Sequence, residues 1–334
     1  MNVTPSKTEF TDDEHREIRL EIARAKSPPE NLTEAAISRE SGVSASTLNS
    51  YLKDSYKGDN NSPAAQLHKW LSARRRAKEF SVQLPVAPAY QPLVTSQRIM
   101  NLLAYAHAMG RIVVVAGSPG LSKTATARQF AADTPRSWHC AMDPATAGVS
   151  TMLSEILRSM GEPEAKGTPQ QLSNRVSARM EEAKCLLMID EAQHLGDKAI
   201  EQVRAINDRA RARGASVGIA LIGNEAAYSK IGTTGTKAAF AQVSSRVAMR
   251  RYFIKPDPAD VETLAHAWGA ANREVMTRAE VNFLQQIAEK PGGLRNVEMT
   301  IEAALMAARG SNEPLQAAHL KGAYDQLSGL TRAA

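Results

Sequence analysis

The sequence predicts an α/β protein built on a parallel sheet, preceded by an all-α domain and followed by a helical lobe. Three observations predict it. Between Arg111 and Ile254 short apolar β-type runs alternate with helical patterns, as in a parallel sheet with crossover helices. The first of these runs, RIVVVAG, enters a Gly/Ser-rich loop and then a helical pattern. Three prolines, Pro85, Pro88 and Pro92, mark an extended connector, because proline disfavours helix at itself and at its predecessor. The implied parts are 1–80, a linker 81–95, an α/β core 96–255 and a helical lobe 256–334.

Composition narrows the function classes. The 334 residues carry a net charge of +6, compatible with a polyanionic partner but not proof of one. Aromatics are 5%, too few for a surface dominated by base stacking. Cys140 and Cys185 exclude a disulfide scaffold, and no run approaches the roughly 20 apolar residues of a membrane span. The N-terminal MNVTPSKTEFTDDEH lacks the apolar centre of a signal peptide, so a soluble, cytoplasmic protein is expected. There is no repeat of 20–50 residues and no Cys/His cluster.

In the N-terminal part Thr11 and Glu14 form a capping-box pattern ahead of a helix with Ile18 and Ile22 on one face. A helix from Thr33 to about Ser41, a turn at Gly42-Val43 and a second helix capped by Ser44 make a helix-turn-helix layout. Leu48, Tyr51 and Leu52 face inward; Ser46, Thr47, Asn49 and Ser50 face outward, with Thr47 and Asn49 the candidates for DNA contact. Ser62-Pro63 is expected to open a further helix, which ends in a basic run containing Arg74, Arg75 and Arg76 and suited to phosphates. A helical protein-interaction module with a solvated basic tail is the plainer alternative.

The strongest motif is Gly117-Ser118-Pro119-Gly120-Leu121-Ser122-Lys123-Thr124, followed by Ala125. Except at Ser122 it is the phosphate-binding loop G-x-x-x-x-G-K-[ST] in its strand–loop–helix setting. Backbone N–H groups wrap the phosphates of ATP and the helix N-terminus adds favourable dipole charge. Lys123 neutralises the β- and γ-phosphates, and the Thr124 hydroxyl ligates Mg²⁺. Ser122 stands where the pattern wants glycine; a positive φ there costs roughly 1–2 kcal/mol.

Downstream, the apolar run Cys185–Ile189 delivers Asp190 and Glu191. At the C-terminal end of a parallel strand, Asp190 is placed to hold Mg²⁺ and Glu191 to polarise the attacking water. A strand that merely ends in an acidic helix cap is the alternative. His194 is read as structural. The run Val217–Gly223 ends in Asn224, which reaches the γ-phosphate if this strand lies between the other two and is otherwise a turn residue. An exposed arginine among Arg246, Arg250 and Arg251 is suited to completing a neighbouring subunit's site, since its planar fork stays charged.

These elements, in this order, resemble the AAA+ P-loop ATPases. The resemblance implies that Asn224 is a sensor, Arg246 the trans-acting arginine finger and Arg295, in Pro291-Gly-Gly-Leu-Arg, a C-terminal sensor. It also implies a strand order that puts the Asn224 strand between the other two. Nearly the whole chain is similar to the phage Mu B type of transposition protein. That likeness runs through the helix-turn-helix, Tyr56-Lys-Gly-Asp59-Asn60, the phosphate loop, Ile189-Asp-Glu-Ala-Gln-His-Leu-Gly196, Ser245-Arg246 and Gln286-Ile-Ala-Glu-Lys-Pro-Gly292. It implies an ATPase that binds double-stranded DNA without sequence preference, forms an ATP-dependent helical homo-oligomer, delivers target DNA to a transposase and stimulates strand transfer. If phage-encoded, it acts in the host cytoplasm.

A filament on DNA needs repeated inward-facing cations, and Lys166, Arg175 and Arg179 are the candidates in the core. The arginines four apart share a helix face, and Arg204, Arg209, Arg211 and Arg213 form a second series. Solvated surface charge is the alternative for each. Val261, Leu264, Ala265 and Trp268, then Thr277 and Glu280 as a capping box, describe the core of the C-terminal lobe. Two other functions stay open: a helicase-loader or insertion-sequence helper ATPase, and an ATP-switched helix-turn-helix transcription regulator.

Overall fold

A computed structural model of the chain describes residues 9–229 and 244–329. The first eight residues, part of the stretch read as lacking a signal peptide, lie outside it. The chain divides into two units, Met1–Leu84 and Pro85–Ala334.

In the first unit Thr11 and Glu14 form the expected capping box at the start of α1 (Asp12–Lys26). Thr33 caps α2 (Glu34–Ser41), which stops at Gly42 in the left-handed region, φ 78°. Ser44 then accepts from the Thr47 N–H to open α3 (Ala45–Leu52). These helices and α4 (Asn61–Gln83) bury one core that includes Ile22, Ile37, Leu48, Tyr51, Leu67 and Trp70. Leu52, expected inside, is only partly buried.

Two boundaries differ from expectation. Helix α4 opens at Asn61, where the Asp59 carboxylate accepts the Asn61 N–H (3.0 Å), so Ser62 lies inside the first turn and is not the cap. The helix also runs on to Gln83, because neither Gly nor Pro interrupts it before Pro85. The Arg74–Lys78 run is therefore mid-helix, not a tail. Since the next helix, α5 (Val94–Met109), starts inside the expected 81–95 linker, the non-helical stretch is 84–93.

The second unit is a five-stranded parallel sheet in the order β2-β3-β4-β1-β5. The strands are β1 (Ile112–Gly117), β2 (Ser137–Ala141), β3 (Cys185–Asp190), β4 (Val217–Gly223) and β5 (Val247–Phe253). Strands β1, β3 and β4 are buried throughout, as expected of a parallel sheet covered on both faces. Alternate side chains go to opposite faces. Ile112, Val114, Leu187, Ile189 and Leu221 pack with α7 (Val149–Ser159), α8 (Pro169–Glu181) and α9 (Asp197–Ala212). Val113, Val115, Leu186, Met188 and Ile222 pack with α5 and α6 (Lys123–Asp133).

The C-terminal lobe comprises α11 (Pro258–Asn272), α12 (Arg278–Ala288), α13 (Leu294–Gly310) and α14 (Ala317–Leu327), after a one-turn α10 (Glu225–Ala227). The capping box at Thr277 and Glu280 is present, and Val261, Leu264, Ala265 and Trp268 are buried together. Polar links bind this lobe to earlier chain, among them those made by Asp260 and Asn272. Thr95 donates its hydroxyl and its N–H to buried Asp260 (2.5 and 3.2 Å). Asn272 grips Val86 by both backbone groups (2.8 and 3.0 Å). Among the described residues no helix is long and apolar enough to cross a membrane.

Tyr51 supplies a test of the N-terminal core. Its buried phenol sits 2.8 Å from His15 Nδ1, and burial pushes its pKa up to about 12, against the partly offsetting charge of Arg19. The folded pKa exceeds the unfolded one, so this contribution is intact below about pH 10 and is lost as pH rises toward 12. Chemical denaturation followed in the first unit is expected to show that alkaline loss, and Tyr51→Phe to flatten it.

Candidate functional site

The C-terminal ends of β1, β3 and β4 open onto a cavity of about 620 Å³. Its walls include Gly117, Pro119, Gly120, Leu121, Ser122, Lys123, Thr124 and Ala125 from the loop, with Glu191, Asn224 and Arg295. Arg128, Gly223, Leu294 and Glu298 complete it. Among the described residues no cluster of His, Cys, Asp and Glu has the makings of an all-protein metal site.

The loop is held by backbone contacts that leave no room for side chains. A Cβ on Gly117 would stand 2.3 Å from the Phe253 carbonyl oxygen, which also accepts the Ser118 N–H (3.0 Å). Gly120 has φ +73°, and its Cβ would lie 1.7 Å from the Gly292 carbonyl oxygen. Its own carbonyl accepts the Leu294 N–H (2.9 Å), so the loop is seated directly on the start of α13. Ser122 is left-handed, φ 54°, with no capping bond from its side chain. Its carbonyl accepts both the N–H and the hydroxyl of Thr126 (2.8 and 2.7 Å), which fixes the peptide in the strained form.

Polar groups converge on this loop. Lys123 Nζ donates to the carbonyls of Gly117 and Ser118 (2.9 and 2.8 Å). Burial lowers its pKa; the charges of Asp190 and Glu191 act against that shift and Arg295 adds to it. A polyphosphate at the loop would favour the charged form. Asp190, 2% exposed, accepts from Thr124 Oγ1 (2.7 Å) and from the Glu191 N–H (2.9 Å), and His139 Nε2 lies 3.2 Å away. Burial pushes the Asp190 carboxyl up, but these hydrogen bonds outweigh it and hold it below the usual carboxylate range. Glu191 leaves β3 in the left-handed region, φ 53°, and its carboxylate accepts from Gln193 Nε2.

Asn224 fits both of its sequence readings. It lines the cavity at the end of β4, between β3 and β1, while its Oδ1 caps α10 by accepting the Ala227 N–H (3.2 Å). Arg295 is in the first turn of α13 and on the cavity wall. Arg246 stands apart. It precedes Val247, which is in register with Ile112 at the far end of β1 from the loop. Six residues at about 3.3 Å each put it roughly 20 Å from Gly117 along the strand. Its side chain is half exposed and paired with Asp208 (3.1 Å). Arg250 turns back onto Ser244 (2.9 Å to Oγ), whereas Arg251 is exposed.

The expected DNA contacts are mostly engaged within the fold. Arg175 and Arg179 share the Glu162 carboxylate, and they donate to the carbonyls of Lys166 (2.9 Å) and Met160 (2.5 Å). Lys166 is exposed. Arg74 pairs with Glu30 (3.0 Å) and Glu40 (3.6 Å) and covers the Trp70 ring; Arg75 pairs with Glu21 (3.9 Å). Arg76 and Asn49 are exposed, while Thr47 is half-buried and accepts from the Ser44 hydroxyl (2.9 Å). Pairs as exposed as Arg75–Glu21 contribute about 0–1 kcal/mol, so their cations are exchangeable. Sequence reasoning missed His139, Gln193, Arg128, Glu298 and the Gly292-Gly293 seat. Of these only the glycine pair before Arg295 carries a sequence signal, that of a close backbone approach.

The chain is similar to known proteins. A family model described as Mu B transposition protein, C terminal, matches residues 245–327, and an AAA domain model matches residues 107–231. The ATP-dependent target DNA activator B of Escherichia phage Mu is 32% identical over 89% of this chain and 91% of its own length. A Mu-like prophage DNA transposition protein B of Haemophilus influenzae is 31% identical over 80% of this chain and 90% of its own. Among solved structures, the Aeropyrum pernix ORC2 protein aligns with a TM-score of 0.57 at 12% identity, covering 74% of this chain and 71% of that one. Drosophila ORC bound to DNA gives 0.53 at 15%, covering 75% and 65%. These two share the fold.

Two substitutions test the loop. Gly120→Ala meets a left-handed strain of roughly 1–2 kcal/mol and the Gly292 clash, so nucleotide should bind about tenfold or more weakly by titration with a fluorescent analogue. Gly214→Ala, at φ +78° with open space around it, should leave binding unchanged. Ser122→Gly relieves the same kind of strain and should tighten binding.

Proposed function

The chain belongs to the Mu B transposition protein family, and on that premise we propose that it activates target DNA for transposition in an ATP-dependent manner. It is an AAA-type ATPase with a nucleotide-binding core. The observation that carries the reading is the cavity that joins the phosphate loop to Glu191, Asn224 and Arg295, with Asp190 bonded to Thr124 of that loop.

In this reading Lys123 and the loop N–H groups hold the triphosphate. The adjacent oxygens of Thr124 and Asp190, 2.7 Å apart, suit a hard cation that keeps most of its waters. Mg²⁺ would sit there, through the Thr124 hydroxyl and through water to Asp190, and would neutralise charge on the β- and γ-phosphates. Glu191 polarises the attacking water, whose proton it accepts as the bond from the γ-phosphorus to the bridging oxygen breaks. Asn224 and Arg295 contact the γ-phosphate.

We propose further that the ATP-bound protein assembles as a helical homo-oligomer on duplex DNA of any sequence and hands that DNA to a transposase, stimulating strand transfer. The distance of Arg246 from its own loop supports a role in a neighbour's site. The net charge of +6 and the polar outer face of α3 support duplex contact, through Thr47, Asn49, Arg74, Arg75 and Arg76. Lys166, Arg175 and Arg179 serve the same contact from the core once phosphate competes for them. Relatives encoded by phages of Escherichia support the cytoplasm of a host cell as the place of action. The carboxylate of Glu191 at the cavity wall favours turnover over a mere ATP switch.

Electron microscopy of the protein on random-sequence duplex, with and without ATP, tests this. Ordered filaments are expected only with nucleotide, and none from Lys123→Ala. Filaments of Glu191→Gln should persist after ATP is withdrawn. Equal mixtures of Lys123→Ala and Arg246→Ala should hydrolyse ATP faster than either alone if Arg246 acts between subunits; no recovery would count against that placement.

A further inference from the structure

We infer that Gln193 is a positioning residue for hydrolysis, holding the Glu191 carboxylate on the cavity wall and tying it to the end of β4. The inference rests on the reading of Glu191 as the group that polarises water. Gln193 lies in the short turn Ala192–His194 that follows β3. Its Nε2 donates to the Glu191 carboxylate, and its Oε1 accepts the backbone N–H of Asn224 (3.4 Å). A carboxylate only accepts and a peptide N–H only donates, so these partners fix which way the amide faces.

The space around the amide is built for it. A Cβ on Gly223 would stand 2.6 Å from both Gln193 Oε1 and Ala227 Cβ, so the amide and the start of α10 close in together on the end of β4. Glu191 is thus held at both ends: its N–H donates to Asp190 Oδ1 (2.9 Å) and its carboxylate receives Gln193. With one carboxylate oxygen engaged, the other is left to take the water's proton. A shift of Asn224 on meeting the γ-phosphate reaches Glu191 through this one amide.

The test is steady-state ATP hydrolysis by the full chain with saturating duplex DNA, alongside the affinity for a non-hydrolysable ATP analogue. Gln193→Ala should lower kcat about 10- to 100-fold, part of what a general base contributes, with KM and analogue affinity within about twofold. Gln193→Glu keeps the size but loses the donor and should fall as far. Normal turnover in both variants, alongside an inactive Glu191→Gln, would overturn this inference and leave the role of Glu191 standing. Normal turnover by Glu191→Gln would overturn both. A loss of analogue affinity that matches the loss of kcat would show a structural role and also refute it.

Discussion

The hydrogen bond from the Leu294 N–H to the Gly120 carbonyl is the contact on which the cavity depends. It joins a loop that leaves β1 to a helix that begins some 170 residues later, with no side chain between them. Both partners are glycine-built: Gly120, Gly292 and Gly293 all have positive φ, and a Cβ on any of them would collide. Because the seat is backbone on backbone, it leaves no space for a side chain between the phosphate loop and the start of α13. Arg295, one residue beyond Leu294, inherits its place on the wall from that contact.

Much of this was legible in the residues. Strand β1 and the loop announce themselves by an apolar run entering Gly117–Thr124, and β3 by an apolar run ending in Asp190-Glu191. Both strands are buried on both faces, so their apolar pattern is continuous and hard to miss. The capping boxes at Thr11 and Thr277 were equally local signals. What escaped depended on distant chain. His139 meets Asp190 only because β2 pairs with β3, and nothing near His139 encodes that. Helix α4 outruns its basic stretch because Arg and Lys are good helix formers, so charge marks no stop and the pattern continues toward Pro85.

The cations show how far composition can mislead. A surplus of positive charge suggests a free basic surface, yet Arg175 and Arg179 are tied to Glu162, and Arg74 to Glu30 and Glu40. These arginines are thus held in partly exposed pairs within the fold. Such pairs contribute little, and a phosphate backbone can replace the carboxylates.

The register of β5 carries one more consequence. It sets Arg246 at the opposite rim of the sheet from the phosphate loop. If, as proposed, one copy's Arg246 reaches the next copy's phosphates head to tail, the contact repeats in one direction and builds an open row wherever its rotation does not close a ring. A row built this way has two unlike termini, one offering an uncompleted nucleotide pocket and the other a spare arginine. Subunits would then join and leave at chemically distinct ends, and the row would have a front and a back.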